Sequence, residues 1–406
     1  MTMIDRRSFL GTAGAVPLWL GLRGVGAWAP RGDDKTLLVL ELIGGNDGLN
    51  TVIPTDDAHY ARLRPQLSAA RSGARALGDG TALHPALEQL DRLVHGGDAT
   101  VVHGVGYDDP DRSHFRSRDI WHVADPAHRN VTASTTGWLG RTADLLAAHS
   151  AGVPAAAVGG LEVPLCLRAK RATVPSLRRV EDFQWLAADR SGPMPGDAAV
   201  RDVVAPGERE AGGDVRAFVA ARAARAVALA DELSQALARY RPAADYPDSE
   251  LARHLQLTAQ LVATGFGTRL LHVGFGGFDT HARQLPAHAA LLRTLDAALA
   301  AFVADLRAQE KLDDVVVLVH SEFGRRAAEN ASQGTDHGAA GPVFVIGGGG
   351  RGGTLGDGPD LGALVDGDVP ATTDFRRVYR DALTWLGVEP RDVLGGEFAS
   401  AGLFVG

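Results

Sequence analysis

Four short apolar runs, each with a carboxylate or histidine at one end, constrain this chain more than any other feature. Leu37–Ile43 leads into Gly44-Gly45-Asn46-Asp47-Gly48, and Arg269–Phe275 into Gly276-Gly277-Phe278-Asp279-Thr280-His281. Val315–Val319 leads into His320-Ser321-Glu322-Phe323-Gly324-Arg325, while Asp336-His337-Gly338 stands just ahead of the fourth run, Pro342–Ile346. Continuous apolar runs of this length are the pattern of strands covered on both faces. In an open parallel sheet the carboxyl ends of the strands share one edge, where ligands collect. Acidic and imidazole groups gathered there repel one another or stay unpaired unless something cationic joins them. A divalent metal answers that need.

The strand candidates are Thr36–Ile43, Thr100–Gly104, Arg269–Phe275, Val315–Val319 and Val343–Ile346. Helical periodicity falls between them, over Leu83–Leu93, Phe115–Val123, Asp214–Tyr240, Glu250–Thr264, Leu285–Gln309 and Asp374–Leu386. This alternation with long crossovers predicts an α/β fold built on a mainly parallel sheet. Residues 160–212 break the pattern, being rich in Arg, Pro, Gly and Asp without a clear strand run. They are expected to form a cap over the sheet edge within a single domain spanning 30–406.

With 406 residues, 22% of them charged, the chain suffices for one large α/β core with insertions. Its net charge of -8, with no basic block, argues against nucleic acid as a partner. Residues 1–29 read as an address: Asp5-Arg6-Arg7-Ser8-Phe9-Leu10 resembles the twin-arginine export signal, ahead of a Gly/Ala-rich stretch and Ala27-Trp28-Ala29. The expected partner is therefore the twin-arginine translocation machinery. The expected location is periplasmic, cell-envelope or secreted, with no stable membrane span after signal removal. A lone cysteine, Cys166, rules out an internal disulfide and a thiolate-rich metal site, so any metal is held by oxygen and nitrogen.

Each motif also has an ordinary structural reading. Asp47 can be the end of an Asn-Asp-Gly turn. Asp279 and His281, two apart in an extended loop, point the same way and can reach one ion, or can form a buried Asp–His hydrogen bond. Glu322 can ligate, or pair with Arg325 or Arg326. His337 can ligate while Asp336 orients its ring, or both can sit on the surface. Ser113, in Asp111-Arg112-Ser113-His114-Phe115, can cap a helix or carry a nucleophilic hydroxyl at a helix N-terminus that favours anionic oxygens. Arg112, Arg116 and Arg325 can clamp an oxyanion. His84 and His272 read as core histidines, His103 and His320 as spare ligands, and Asp374 as a helix cap.

The segments Gly44–Asn50, Arg112–Trp121, Thr136–Arg141, Gly276–His281, Ser321–Arg325 and Asp336–Gly338 resemble an exported bacterial family catalogued as a domain of unknown function (1501), within the alkaline-phosphatase/sulfatase-like clan. The resemblance implies a three-layer sandwich with a mainly parallel central sheet and helices on both faces. It also implies that Asp47 bridges two metals, that Ser113 is the nucleophile with His114 beside it, and that Asp279 and His281 bind one metal. Glu322 falls where the clan has an Asp-His pair and His337 where it has its last histidine; Phe323 cannot ligate, so one subsite loses a nitrogen, and the site is expected to hold one metal, to hold two with unequal affinity, or to recruit His103, His114 or His320. The expected metal set is Asp47, Asp279, His281, Glu322, Asp336 and His337, with Asn46, Arg112 and Arg325 toward substrate. The cofactor is one or two divalent ions: zinc first, with manganese, iron, magnesium or calcium also accommodated. The implied activity is hydrolysis of phosphate or sulfate esters, with a small-molecule or glycan ester as substrate; the alternative is a non-catalytic metal- or ligand-binding envelope protein. The formylglycine sulfatase type is disfavoured, since neither Cys166-Leu167-Arg168 nor Ser113-His114-Phe115 supplies its motif.

Overall fold

The computed structural model describes residues 35–128, 130–147, 153–160, 162–178, 240–264 and 267–404. The expected signal and most of the expected cap lie outside these residues, as does the expected helix 214–240 apart from Tyr240.

The strands are β1 (Thr36–Leu42), β2 (Val52–Pro54), β3 (Arg75–Ala76), β4 (Thr81–Leu83), β5 (Ala99–Gly106), β6 (Ala155–Val158), β7 (Ser176–Leu177), β8 (Leu270–Phe275), β9 (Val315–His320), β10 (Gly341–Gly347), β11 (Gly353–Leu355) and β12 (Thr373–Asp374). The main sheet runs β11-β5-β10-β9-β1-β8-β6-β7, with β12 also beside β5. From β9 through β1, β8 and β6 to β7 every pair is parallel. β10 lies antiparallel between β9 and β5. All five expected strands are present. β6, β7, β11 and β12 add short ones, and β7 sets a strand within the stretch read as having none. A small antiparallel sheet, β2-β4-β3, stands apart.

Alternation along each strand divides the core. Leu38, Leu40 and Leu42 of β1 face helices Glu88–His95, Glu250–Ala263 and Gln284–Ala308, while Leu37 and Val39 face helices His114–Val123, Trp138–Ala147 and Phe375–Trp385. Each fully buried leucine contributes roughly 1.5–3 kcal/mol, so both layers are held by ordinary apolar burial. The result is the expected three-layer α/β sandwich. Local chemistry sets the helix ends. Ser249 accepts from the Ala252 amide at 3.1 Å, and Asp374 from that of Arg376 at 2.8 Å. The helix expected from Leu83 starts instead at Glu88, because Leu83 pairs with Val52 in the small sheet and Pro85 follows. Among the described residues no helix is long and apolar enough to cross a membrane.

The antiparallel turn of β10 places its first residues, not its last, at the carboxyl edge of β9 and β1. The loop that precedes β10 thus joins the loops that follow β1, β8 and β9. A bridge between Arg325 and His337 ties the two sides.

Candidate metal centre

One carboxylate oxygen is the focus of that rim. Asp279 Oδ1 lies 2.9 Å from His281 Nε2, 3.3 Å from His337 Nε2 and 3.3 Å from His114 Nε2. It also accepts from Arg325 Nη2 at 2.8 Å. The donor atoms of His114, Asp279 and His337 all fall within 4.8 Å of one another.

The opposite side of each ring decides what these nitrogens do. His337 Nδ1 lies 2.7 Å from the Arg112 carbonyl oxygen, His114 Nδ1 lies 2.8 Å from Glu322 Oε1, and His281 Nδ1 faces Asp336 Oδ1 at 3.4 Å. Carbonyls and carboxylates only accept, so each Nδ1 carries a proton, and the tautomer this selects turns a lone pair inward from Nε2. His281 Nε2 and His337 Nε2 stand 2.9 Å apart, and His114 Nε2 is buried without a hydrogen-bond partner. Lone pairs so placed repel unless a proton or a cation sits among them. Burial, aided by the Arg325 guanidinium, pulls His337 below its ordinary range, which disfavours the proton. Acceptors fixing Nδ1 while Nε2 faces inward are the support that metal-binding histidines receive. The residues fit a divalent ion held by His114, His337 and Asp279, with His281 Nε2 beside Asp279 and His337.

Burial alone would raise the Asp279 carboxyl, yet the Arg325 guanidinium beside it holds it down at about 2, so it is ionised near neutral pH. Its side chain is 49% exposed, against 23–42% for the three histidines. The group is therefore open to solvent on one side. On another side Phe323 packs against the rings of His114 and His337, each at 4.8 Å.

Other expected site residues have different work. Glu322 is fully buried, accepts from the Gly44 amide at 2.9 Å and orients His114. Asp336 orients His281 rather than His337. Arg325 is buried and knits the rim: it donates to the carbonyls of Gly45 (2.6 Å), Thr335 (2.8 Å), Phe278 (3.1 Å) and Gly44, besides Asp279. Its donors are engaged, so none is left to clamp a substrate oxygen. The Arg112 side chain pairs with buried Asp368. Asn46 is buried, exchanging hydrogen bonds with Thr51 and facing His288. Ser113 is the exposed N-cap of helix His114–Val123, and its side chain makes no capping hydrogen bond.

Asp47 meets an arginine where a metal was expected. Arg64 Nη1 lies 2.9 and 2.7 Å from its two oxygens, and Gln284 and the Asn50 amide also donate to it. Two close backbone crossings hold these loops together. A side chain at Gly44 (φ +116°) would press on the Asp279 amide, and one at Gly338 on the Arg325 backbone.

A second polar group lies buried beneath the same helix. Glu41, His272 and His320 project from β1, β8 and β9 on the face opposite Leu40, Val273 and Val319. Arg118 and His122 descend on them from helix His114–Val123. Glu41 Oε1 accepts from Arg118 at 2.8 Å, and Oε2 lies 3.2 Å from His122 Nε2 and 3.1 Å from His272 Nε2. Cys166 completes a group with His122 and His272 whose donor atoms lie within 4.8 Å. Burial and the Glu41 charge push the Cys166 thiol well up, keeping it protonated. Of the remaining histidines, His320 stacks on Trp121 at 4.7 Å, His103 pairs with Asp79 at 2.9 Å, and His84 accepts from the Ala86 amide at 3.0 Å.

Residues 34–397 match the family model described as "Protein of unknown function (DUF1501)". The chain belongs to that family. Comparison with curated proteins finds no match. Among solved structures, a protein of the alkaline phosphatase superfamily from Vibrio parahaemolyticus is 13% identical, covering 98% of this chain and 80% of its own, at a TM-score of 0.41. The C-terminal periplasmic domain of EcEptC from Escherichia coli, in complex with Zn, is 8% identical over 82% of this chain and 77% of its own, at 0.38. A sulfatase from Pseudoalteromonas sp. is 11% identical over 88% and 68%, at 0.39.

Arg64, Gln284 and Glu41 escaped the reading of the sequence, while His272 is the core histidine expected and His320 is buried against Trp121 rather than a ligand. Arg64 and Gln284 carry no local mark. Glu41 does carry one, a carboxylate inside an otherwise apolar strand, and His272 within β8 repeats it.

Proposed function

We propose that this DUF1501 protein is an exported metal-dependent hydrolase of phosphate or sulfate esters. The observation that carries the metal is the convergence of three histidine Nε2 atoms on Asp279, each ring fixed through Nδ1. His114, His281, His337 and Asp279 would hold the ion, which when bound supplies Lewis-acid polarisation of the ester oxygens. Glu322, the Arg112 carbonyl and Asp336 keep the three rings in register. Arg325 keeps Asp279 charged. The amides opening helix His114–Val123 favour an anionic substrate group. Ser113, at that helix start with its hydroxyl free of capping, is assigned the attack. The motif resemblance to the alkaline-phosphatase-like clan supports the ester class. The twin-arginine signal in residues 1–29, with 160–212 as a cap on a single 30–406 domain, completes the reading.

Metal analysis of the purified chain, with a screen of phosphomonoesters, phosphodiesters and sulfate esters, tests it. Stoichiometric metal, turnover, and loss of both in Asp279→Asn are expected. A folded chain that takes up no divalent metal ends the proposal. Phe323, closing one flank of the histidines, favours a second reading: a metal-binding envelope protein without turnover. It predicts bound metal, no hydrolysis of any ester, and no consequence of Ser113→Ala.

A further inference from the structure

We infer that Arg64 takes the place of a second ion, so that the chain holds a single metal, at Asp279, and Asp47 binds none. The inference rests on the metal reading above and concerns its count. The clan resemblance implies an Asp47 that bridges two metals, but here each Asp47 oxygen already has two donors. Oδ1 accepts from Arg64 Nη1 (2.9 Å) and the Asn50 amide (3.2 Å); Oδ2 accepts from Arg64 Nη1 (2.7 Å) and Gln284 Nε2. Asp47 and Arg64 are both fully buried.

The donors are themselves held. Arg64 Nε donates to the Ala327 carbonyl at 2.9 Å, Nη2 to that of Arg326 at 2.8 Å, and Nη1 to Asn50 Oδ1 at 2.7 Å. Gln284 Oε1 accepts from Thr335 at 2.7 Å, and Tyr60 donates to Asn50 at 2.8 Å. An ion entering here would have to expel a guanidinium, leaving two carbonyls and a buried cation without partners, a loss that disfavours the exchange. Among the described residues, Asp47 belongs to neither group of three or more His, Cys, Asp or Glu donors. Gln284 and Thr335, whose carbonyl accepts from Arg325, link it to the metal centre.

The test titrates the full, chelator-stripped chain with zinc, following heat and bound metal. One equivalent is expected, lost in Asp279→Asn. One equivalent should be retained in the double variant Asp47→Asn with Arg64→Met. Two equivalents in the wild type, or zinc lost from a folded double variant, overturns the inference. A wild type that binds no zinc overturns it together with the metal reading, which separates the two failures. Should the double variant not fold, paramagnetic resonance of the manganese-loaded wild type decides. An uncoupled six-line signal at every loading supports one ion, and an exchange-coupled pair refutes it.

Discussion

The rim and the interior of this protein each gather histidines around a carboxylate, and one helix serves both. His114, Arg118 and His122 lie four apart, on one stripe of helix His114–Val123. At the rim, Nδ1 protons go to fixed acceptors and Nε2 lone pairs meet around half-exposed Asp279. In the interior, Nε2 of His122 and His272 turns onto buried Glu41, whose second oxygen holds Arg118. Each carboxylate also holds a guanidinium, Arg325 on Asp279 and Arg118 on Glu41, so the same residue types differ only in where the ring nitrogens point. What separates them is which ring nitrogen the surroundings engage, a distinction that donor clustering alone does not make.

The largest expected effect breaks the rim. His281→Ala or Asp279→Asn should remove metal binding and any hydrolysis, while His272→Gln leaves the metal content of the folded chain unchanged; plasma emission spectrometry reads both. Equal metal loss from His272→Gln would erase the contrast. Next comes the interior: Arg118→Met leaves Glu41 buried without its guanidinium and should lower stability by roughly 3–5 kcal/mol. Urea unfolding measures this, with metal count unaltered. A smaller effect is expected of Glu322→Gln, which weakens the hold on His114 and should cost roughly 10–100-fold in zinc affinity with little change in stability.

The smallest effect appears only in acid. Burial holds His320 down at about 4, while Glu41 beside it opposes that shift. A group protonated less readily in the folded state adds stability above its unfolded value, about 6.5, and loses it as pH falls toward 4. His320→Gln should flatten the dependence of the unfolding midpoint on pH across that window. Glu41, itself held well below the usual carboxylate range, adds its own loss at still lower pH. An unchanged slope in His320→Gln would show that this ring is not responsible.

The fold was legible because its strands are apolar runs of the right length, and the rim because three of them end in ligand-type residues. Two things were not legible. The direction of β10 depends on its neighbours, β9 and β5, and it alone explains how a motif that precedes a strand reaches an edge made by strand ends. The partner of Asp47 was also hidden, since a need for positive charge does not say whether an ion or Arg64 meets it. Roles shifted for the same reason. Glu322 and Asp336 have ligand chemistry, but the rings of His114 and His281 stand between them and the centre.

The contacts of Gly44 with Asp279 and of Gly338 with Arg325 have a further consequence. Where chain presses directly on chain, with no side chain between to rearrange, the four loops are positioned by folding itself. An arriving ion then has no segment to order, and its affinity is not reduced by the entropy of assembling a binding place. Metal-free and metal-loaded protein should superimpose along this edge, and the choice among ions falls to a spacing set in advance.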